Sequence, residues 1–198
     1  MDTLDTLKTI VLAGSLALLA ACAPRAEKAD RPAAQAGTTY QQQVARGRQL
    51  VLAMDCNTCH TPFKPGPRGP EPDMERMLSG HPATLQLGPP PPLTGGWIAA
   101  TNMSAWAGPW GISYSANLTP DEETGLGAWS EAQFVAMFHN GKHMGEPNGR
   151  PVLPPMPWSA YAAVGDEDLK AIYAYLRTIP AVKNRVPSPA PPQSAALR

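Results

Sequence analysis

Two cysteines and a histidine lie within five consecutive residues of this chain, as Cys56-Asn57-Thr58-Cys59-His60. Thiols at this spacing can each add to one of the two vinyl groups of a haem, and the adjacent imidazole can then bind the iron. The pattern therefore predicts one covalently attached c-type haem, held by Cys56 and Cys59, with His60 as an axial ligand. The chain itself would make no bond in a substrate, so no catalytic residue and no enzymatic activity are predicted.

The same two cysteines have other uses in other proteins. A structural disulfide between Cys56 and Cys59 stays open, since the N-terminus has the features of an exported chain. A redox C-x-x-C motif would require a nearby βαβ pattern, and none is visible. A zinc site requires about four ligands, whereas the third cysteine, Cys22, lies far away in the N-terminal segment.

The iron needs a sixth ligand on its other face, or that face is open. A methionine thioether favours reduced iron and raises the reduction potential. Met156 is the predicted ligand, because it lies in the stretch Leu-Pro-Pro-Met-Pro-Trp, where the prolines stiffen the loop. Met144 and Met103 are alternatives, and His143 would give bis-histidine ligation with a lower potential. The other histidines, His81 and His139, are expected to be surface or capping residues.

The N-terminal residues indicate export. Residues 10–21 form an apolar run that is too short for a comfortable transmembrane helix but suits the core of a signal peptide. The run ends in Leu-Ala-Ala-Cys, which resembles the bacterial lipobox. Residues 1–21 are therefore predicted to be removed, and Cys22 to carry a lipid that anchors the protein to a membrane in the periplasm. The alternative is ordinary cleavage after Ala23, which would leave a soluble periplasmic protein.

Composition predicts the boundaries of the folded domain. Residues 22–39 carry no large apolar side chain and are predicted to be a flexible tether, and residues 186–198 a disordered tail. The domain would then span residues 40–185. The 16 basic and 16 acidic residues balance, so nothing points to nucleic-acid binding.

Helical periodicity and capping patterns predict the helices around the haem motif. They span approximately residues 41–54, 131–140 and 166–177, with a short additional helix at 72–79. Gly47 is expected to permit close approach of another helix, Ser130 to begin a capping box with Gln133, and Asp166 to be an N-cap. No convincing run of alternating strand residues is present, so the proline-rich stretches are predicted to be loops, at residues 62–72, 89–92 and 151–157.

Taken in order, these features resemble the class I cytochrome c family. The shared order is a glycine-bearing first helix, the haem motif, a methionine in a proline-rich loop and a last helix with aromatic residues. More specifically, the chain is similar to the haem domains in cytochrome subunits of bacterial alcohol and gluconate dehydrogenases. The similarity is carried by residues 46–62, 114–121, 123–130, 149–151, 155–158 and 166–177.

The resemblance implies an all-α, class I cytochrome c fold, with long proline-rich loops around one haem. The N-terminal and C-terminal helices would cross, with Gly47 near Tyr173. Cys56 and Cys59 would hold the haem, with His60 as the proximal and Met156 as the distal ligand.

For the propionate contacts and the hydrogen-bond partner of the proximal histidine, the sequence offers only candidate residues. Four residues could contact the propionates: Trp110, Tyr114, Asn117 and Arg150. The proline whose carbonyl receives the proximal histidine's Nδ1–H in this family is not clear, and Pro62, Pro65 and Pro92 are candidates. The chain also departs from the dehydrogenase subunits, which usually carry several haem domains, and its stretch from about residue 64 to 110 is longer than the family needs.

These features predict a membrane-tethered, single-haem electron carrier. It would take one electron from a donor such as a dehydrogenase and pass it to an oxidase, a reductase or another cytochrome. A haem enzyme or ligand-binding protein with an exchangeable sixth position is the alternative, and rapid binding of CO would favour it. A module without haem is the third possibility, and a colourless protein would favour it.

Overall fold

The structure, a computed structural model, describes residues 38–93 and 95–192. The predicted signal peptide, the lipidation site Cys22 and most of the tether lie outside these residues. The described part of the chain contains five α-helices and five β-strands. In chain order they are α1 (Tyr40–Ala53), α2 (Cys56–His60), β1 (Phe63–Gly66), β2 (Gly69–Pro72), β3 (Ile98–Ala99), β4 (Ala105–Gly108), β5 (Gly111–Tyr114), α3 (Glu131–Asn140), α4 (Trp158–Tyr161) and α5 (Asp166–Leu176).

The predicted all-α fold is wrong, because the five strands form two small sheets. Strands β1 and β2 form an antiparallel hairpin, and the other three form an antiparallel sheet in the order β3-β4-β5. Strand accounts for 14% of the structure and helix for 34%. Strands of two to four residues are too short for their alternation to be recognised. The first hairpin also contains Pro65, Pro70 and Pro72, and proline normally argues against a strand.

Helices α1 and α5 pack against each other across Gly47. A Cβ at this position would lie 1.8 Å from the carbonyl oxygen of Ala171 and 2.9 Å from the Cβ of Tyr175. The absence of a side chain therefore permits the approach. The expected close contact of these helices is present, and the atoms nearest to that Cβ belong to Ala171 and Tyr175, on either side of the expected Tyr173 in sequence.

Side-chain caps fix the starts of α1 and α3. Thr39 precedes α1 and Ser130 precedes α3, and each forms a reciprocal capping box with a glutamine three residues later. Helix α3 ends at Gly141, whose φ of 64° is the left-handed conformation that favours glycine. The predicted bounds of α3 are confirmed, because all of these signals are local in sequence.

The other two predicted helices differ in detail from the structure. The N-cap of α5 is Gly165, so the predicted cap, Asp166, is the first residue of the helix, where the helix dipole favours a carboxylate. The short helix predicted at residues 72–79 is only a 3-10 turn at Met74–Arg76. No helix within the described ranges is both long and apolar enough to cross a bilayer.

The hydrophobic core joins α1, α3 and α5. Tyr173 of α5 packs its ring against that of Phe134 in α3, with 5.5 Å between centroids, and its hydroxyl donates a hydrogen bond to the carbonyl oxygen of Trp129. The buried members of the core are Val51, Leu78, Leu126, Phe134, Val135, Phe138, Leu169, Ile172, Leu176 and Ile179. These contacts hold the three long helices together.

The chain continues after α5 as an extended segment, residues 181–192, which we call the C-terminal strap. The side chain of Asn184 is buried, and Ala190 exchanges two backbone hydrogen bonds with Ile112 of β5, of 2.9 and 3.0 Å. The sequence predicts a disordered tail from residue 186 onward. In the structure, residues 186–192 instead lie against the domain. That prediction rested on composition, which carries no information on backbone bonds to a distant strand.

Candidate haem site

Helix α2 brings the two cysteines and the histidine of the motif to one cavity. Cys56, Cys59 and His60 all line it, and both thiols are free. The described residues contain no group of three or more histidine, cysteine or acidic side chains that could hold a metal ion. The disulfide and zinc alternatives therefore have no support in this part of the chain.

Burial favours the protonated form of both thiols. Burial is the main reason that the pKa of Cys56 rises to about 11, and burial also raises the pKa of Cys59. Thiols that act as nucleophiles or as thiolate ligands usually have lowered pKa values. The protein thus does not activate these cysteines for redox or metal chemistry, and free thiols beside a cavity remain suitable for attachment to a haem.

A backbone carbonyl holds the imidazole of His60. Its Nδ1 lies 2.8 Å from the carbonyl oxygen of Ala116, so Nδ1–H donates to that oxygen and Nε2 keeps a lone pair. Burial lowers the pKa of His60, which favours the neutral form that a metal ion needs. The acceptor is therefore none of the three candidate prolines, Pro62, Pro65 and Pro92.

The cavity is large enough for a cofactor and its lining is mostly apolar. Its volume is about 630 Å³, within the range of roughly 300–1,000 Å³ that is usual for small-molecule and cofactor sites. Apolar lining side chains come from α3, α4, α5, β4 and the loops between the elements. They include Met54, Trp106, Leu118, Leu126, Trp129, Phe134, Met137, Phe138, Val152, Tyr161, Ile172 and Leu176.

Met156 lines the same cavity as His60 and is partly buried against the core. Two contacts fix its loop. The Met156 amide donates to the carbonyl oxygen of Leu153 (3.3 Å), and the Ser113 hydroxyl donates to that of Pro154 (2.6 Å). One cavity thus collects two thiols, an imidazole and a thioether, the set that a covalent haem with histidine–methionine ligation uses.

Two of the alternative ligands also lie at the cavity. Met144 and His143 line it, whereas Met103 does not. The ring of His143 meets that of Trp129 edge-on, with 5.2 Å between centroids, and burial lowers its pKa. Met144 and His143 therefore remain candidate ligands beside Met156.

Two of the four candidate propionate contacts are engaged elsewhere. Asn117 lines the cavity, but its amide nitrogen donates to the carbonyl oxygen of Val182 (2.8 Å) and its amide oxygen accepts from the hydroxyl of Thr119 (2.7 Å). Trp110 does not line the cavity, and its indole N–H donates to the hydroxyl of Ser113 (3.2 Å). Both side chains therefore serve the packing of loops.

The other two candidates, Tyr114 and Arg150, do line the cavity. Partial desolvation lowers the pKa of Arg150, although the residue as a whole is exposed. Sequence reasoning missed four further charged residues of the lining: Asp55, Glu122, Glu123 and Arg185. The last two form an ion pair of 2.6 Å. They lie 62 residues apart in the chain, so no local pattern could have indicated them.

The other histidines divide between core and surface. His81, expected at the surface or as a cap, is fully buried: its Nδ1 lies 2.9 Å from the hydroxyl of Ser104 and its ring packs at 4.8 Å from that of Tyr114. Burial lowers its pKa, so it is a neutral packing residue behind the cavity lining. His139 is at the surface, 2.8 Å from Asp166.

A family model for cytochrome c matches residues 44–180 of this chain. Three similar proteins are components of dehydrogenases. A nicotinate dehydrogenase subunit from Pseudomonas putida is 31% identical over 90% of this chain and 12% of its own length. The gluconate 2-dehydrogenase cytochrome c subunit of Pantoea cypripedii is 34% identical over 67% of this chain and 22% of its own length. The fructose dehydrogenase cytochrome subunit of Gluconobacter japonicus is 29% identical over 87% of this chain and 29% of its own length. The chain thus spans less than a third of the length of each of these relatives.

Proposed function

This chain belongs to the cytochrome c family, and we propose from this premise that it is a single-haem electron carrier. The observation that carries the proposal is the meeting of Cys56, Cys59, His60 and Met156 in one mostly apolar cavity. The haem, when bound, supplies the one-electron chemistry. The protein would supply the thiols that attach the haem, an imidazole and a thioether for its iron, and surroundings that exclude water.

Each residue of the site has a distinct role in this proposal. Cys56 and Cys59 would hold the haem, each by addition of its thiol to one vinyl group. His60 offers Nε2 to the iron, because its Nδ1–H is donated to Ala116, and this hydrogen bond orients the ring and raises its basicity as a ligand. Met156 offers its thioether as the sixth ligand, which favours the reduced state.

The proposed electron donor is a dehydrogenase, since several relatives are cytochrome subunits of dehydrogenases. The electron would pass on to another cytochrome, an oxidase or a reductase.

We also propose that a lipid on Cys22 anchors the protein to a membrane in the periplasm, which is supported by the sequence Leu-Ala-Ala-Cys at positions 19–22. Labelling with a radioactive fatty acid tests the anchor: label on the natural chain but not on Cys22→Ser supports it, and an unlabelled natural chain favours the soluble alternative.

Absorption spectra of the purified protein test the function and the ligand assignment together. We expect a c-type spectrum and, in the oxidised form, the weak near-infrared charge-transfer band of a methionine–iron bond. Met156→Ala should abolish this band, whereas Met103→Ala, which alters a residue outside the cavity, should keep it. A band that persists in Met156→Ala would exclude Met156 as the ligand, and a protein without haem absorption would refute the proposed function.

A haem protein with an exchangeable sixth position is the second candidate function. It is favoured by the presence of His143 and Met144 in the cavity lining beside Met156, since they offer the iron other partners. Addition of CO to the reduced protein distinguishes the two candidates. Rapid binding would support the exchangeable site, and resistance to CO would support the carrier.

A further inference from the structure

The C-terminal strap, residues 181–192, begins where the match to the cytochrome c family ends, at residue 180. Five consecutive residues of the strap line the cavity, from Arg185 to Pro189, and we call the last four, Val186, Pro187, Ser188 and Pro189, the wall. The strap therefore contributes a wall to the cofactor cavity that the matched part of the chain does not provide.

Asn184 fixes the strap just before this wall. Its side chain is only 5% exposed. The amide nitrogen donates to the carbonyl oxygens of Ser79 (2.7 Å) and His81 (2.8 Å), and the amide oxygen accepts from the backbone N–H of Ala83 (2.9 Å). A buried amide with its groups satisfied resists displacement, because movement would leave it and its partners unpaired.

Further contacts hold the strap on both sides of the wall. The carbonyl oxygen of Val182 accepts from Asn117, which gives that cavity residue its structural role. At the other end, Ala190 pairs with Ile112 through two backbone hydrogen bonds. The strap also lies close to Gly111, where a Cβ would be 2.1 Å from the carbonyl oxygen of Ala190. Residues 186–189 thus span two fixed points, and their prolines restrict the chain between them.

We propose that the strap closes one side of the cavity against water and thereby raises the reduction potential of the haem, with Asn184 as the positioning residue. This inference rests on the proposed function. Water beside the haem favours the more highly charged oxidised state, and the apolar surroundings of a metal site control its potential by limiting solvent access. The wall suits this task, since three of its four side chains are apolar.

Two truncated chains test the proposal. A stop codon after Arg185 removes the wall but keeps Asn184 and its partners, whereas a stop codon after Pro192 removes only residues beyond the strap and is the matched control. We expect the shorter chain to have a lower reduction potential than the control by potentiometric titration. Hydrogen exchange of the Ile112 amide, which donates to Ala190, should accelerate only in the shorter chain and so report the loss of the strap.

If the shorter chain fails to fold or to hold haem, a point substitution in the wall tests the role of the strap instead. Val186→Asn places a polar side chain in the wall and leaves the anchors intact, so we expect it to lower the potential. Ser188→Ala, the control in the same wall, should not lower it. The melting temperature of each variant checks that the fold is kept.

The proposal is overturned if the shorter chain has the potential of the control although exchange at Ile112 has accelerated. Where the shorter chain holds no haem, an unchanged potential in Val186→Asn overturns it. The function is judged separately, by the spectrum of the chain that ends at Pro192. A c-type spectrum there, with equal potentials in all variants, would refute the role of the strap and leave the electron carrier standing.

Discussion

Arg150 and Arg185 both line the cavity, but they differ in their partners. Arg185 forms an ion pair with Glu123, whereas Arg150 has no ion pair with any described residue. Partial desolvation lowers the pKa of Arg150, yet a guanidinium stays charged across the usable pH range. Its charge is therefore available to a negative group in the cavity, such as a haem propionate.

At the residue scale we predict that Arg150→Gln lowers the reduction potential. A positive charge near the iron opposes oxidation, so its removal favours the oxidised state. For a charge about 10 Å away and an effective dielectric constant of about 20 to 80, the fall would be roughly 20 to 70 mV. Potentiometric titration measures it, with Arg48→Gln on the exposed side of α1 as the control. An Arg150→Gln protein with the natural potential would show that this charge does not act on the haem.

The cavity residues also show which parts of the site a sequence can predict. The haem motif was visible because its chemistry is contained in five adjacent residues. The acceptor for His60, by contrast, is the backbone oxygen of Ala116, which lies 56 residues away in the chain. Because every residue has such an oxygen, no side-chain type in the sequence indicates this partner. Asn117 has a type that suits a propionate contact, but the strap occupies its amide.

At the scale of elements, the contact between α1 and α5 depends on Gly47. We predict that Gly47→Ala destabilises the protein by about 1–3 kcal/mol or more, because the new methyl group would overlap the backbone at Ala171. This loss outweighs the gain of about 1 kcal/mol that alanine offers within a helix. Denaturant unfolding measures the change, and Ala45→Gly on the exposed side of α1 is the reciprocal control. A more stable Gly47→Ala protein would mean that the two helices can separate without cost.

The same two helices are joined by an ion pair whose contribution depends on pH. Arg46 donates hydrogen bonds of 2.8 and 2.7 Å to the carboxylate of Asp168 and lowers its pKa. A lowered folded-state pKa gives stability that is present above the unfolded-state pKa, about 3.9, and is lost as the pH falls through the folded-state value.

We therefore predict that Arg46→Gln lowers the melting temperature slightly at pH 7, since the pair is exposed. The difference from the natural protein should shrink below about pH 4. Thermal unfolding from pH 7 to pH 2 measures this, with Arg48→Gln as the control. A difference that stays constant over the whole range would exclude the ion pair as its cause.

The elements also show why the helices were easier to predict than the strands. Helix α3 carries its start at Ser130 and its end at Gly141 within twelve adjacent residues. The short strands β1 to β5 depend instead on pairing partners, and their residues, rich in proline and glycine, resemble loops. Hydrogen bonds between the strands form these sheets, and strands this short show no periodic pattern of apolar residues in the sequence. The all-α prediction was wrong for this reason.

At the scale of the whole molecule, the cavity reaches into the hydrophobic core, because Leu126, Phe134, Phe138, Ile172 and Leu176 belong to both. Without haem these side chains would lose the apolar burial that the cofactor gives them, and each large core side chain that loses its packing typically costs about 2–5 kcal/mol. The total stability of a domain is only about 5–15 kcal/mol. Folding is therefore expected to depend on the cofactor.

We predict that the chain without haem loses cooperative unfolding or melts at a much lower temperature. The double variant Cys56→Ser, Cys59→Ser, which cannot attach haem covalently, provides this form, and the natural chain made without haem-attachment machinery is its matched control. Near-ultraviolet circular dichroism and calorimetry follow the packing. A cofactor-free chain that melts at the temperature of the haem protein would show that the cavity can collapse.

The hydrogen bond from His60 to Ala116 has a consequence for how this protein can evolve. Its acceptor is a main-chain oxygen, and nearly every amino acid at position 116 would supply the same atom. Ala116 lines the cavity, so a substitution there is limited by the room that the haem leaves and not by the hydrogen bond. The orientation of the iron ligand is thus insulated from genetic drift at this site, because any residue that fits there keeps the imidazole aligned.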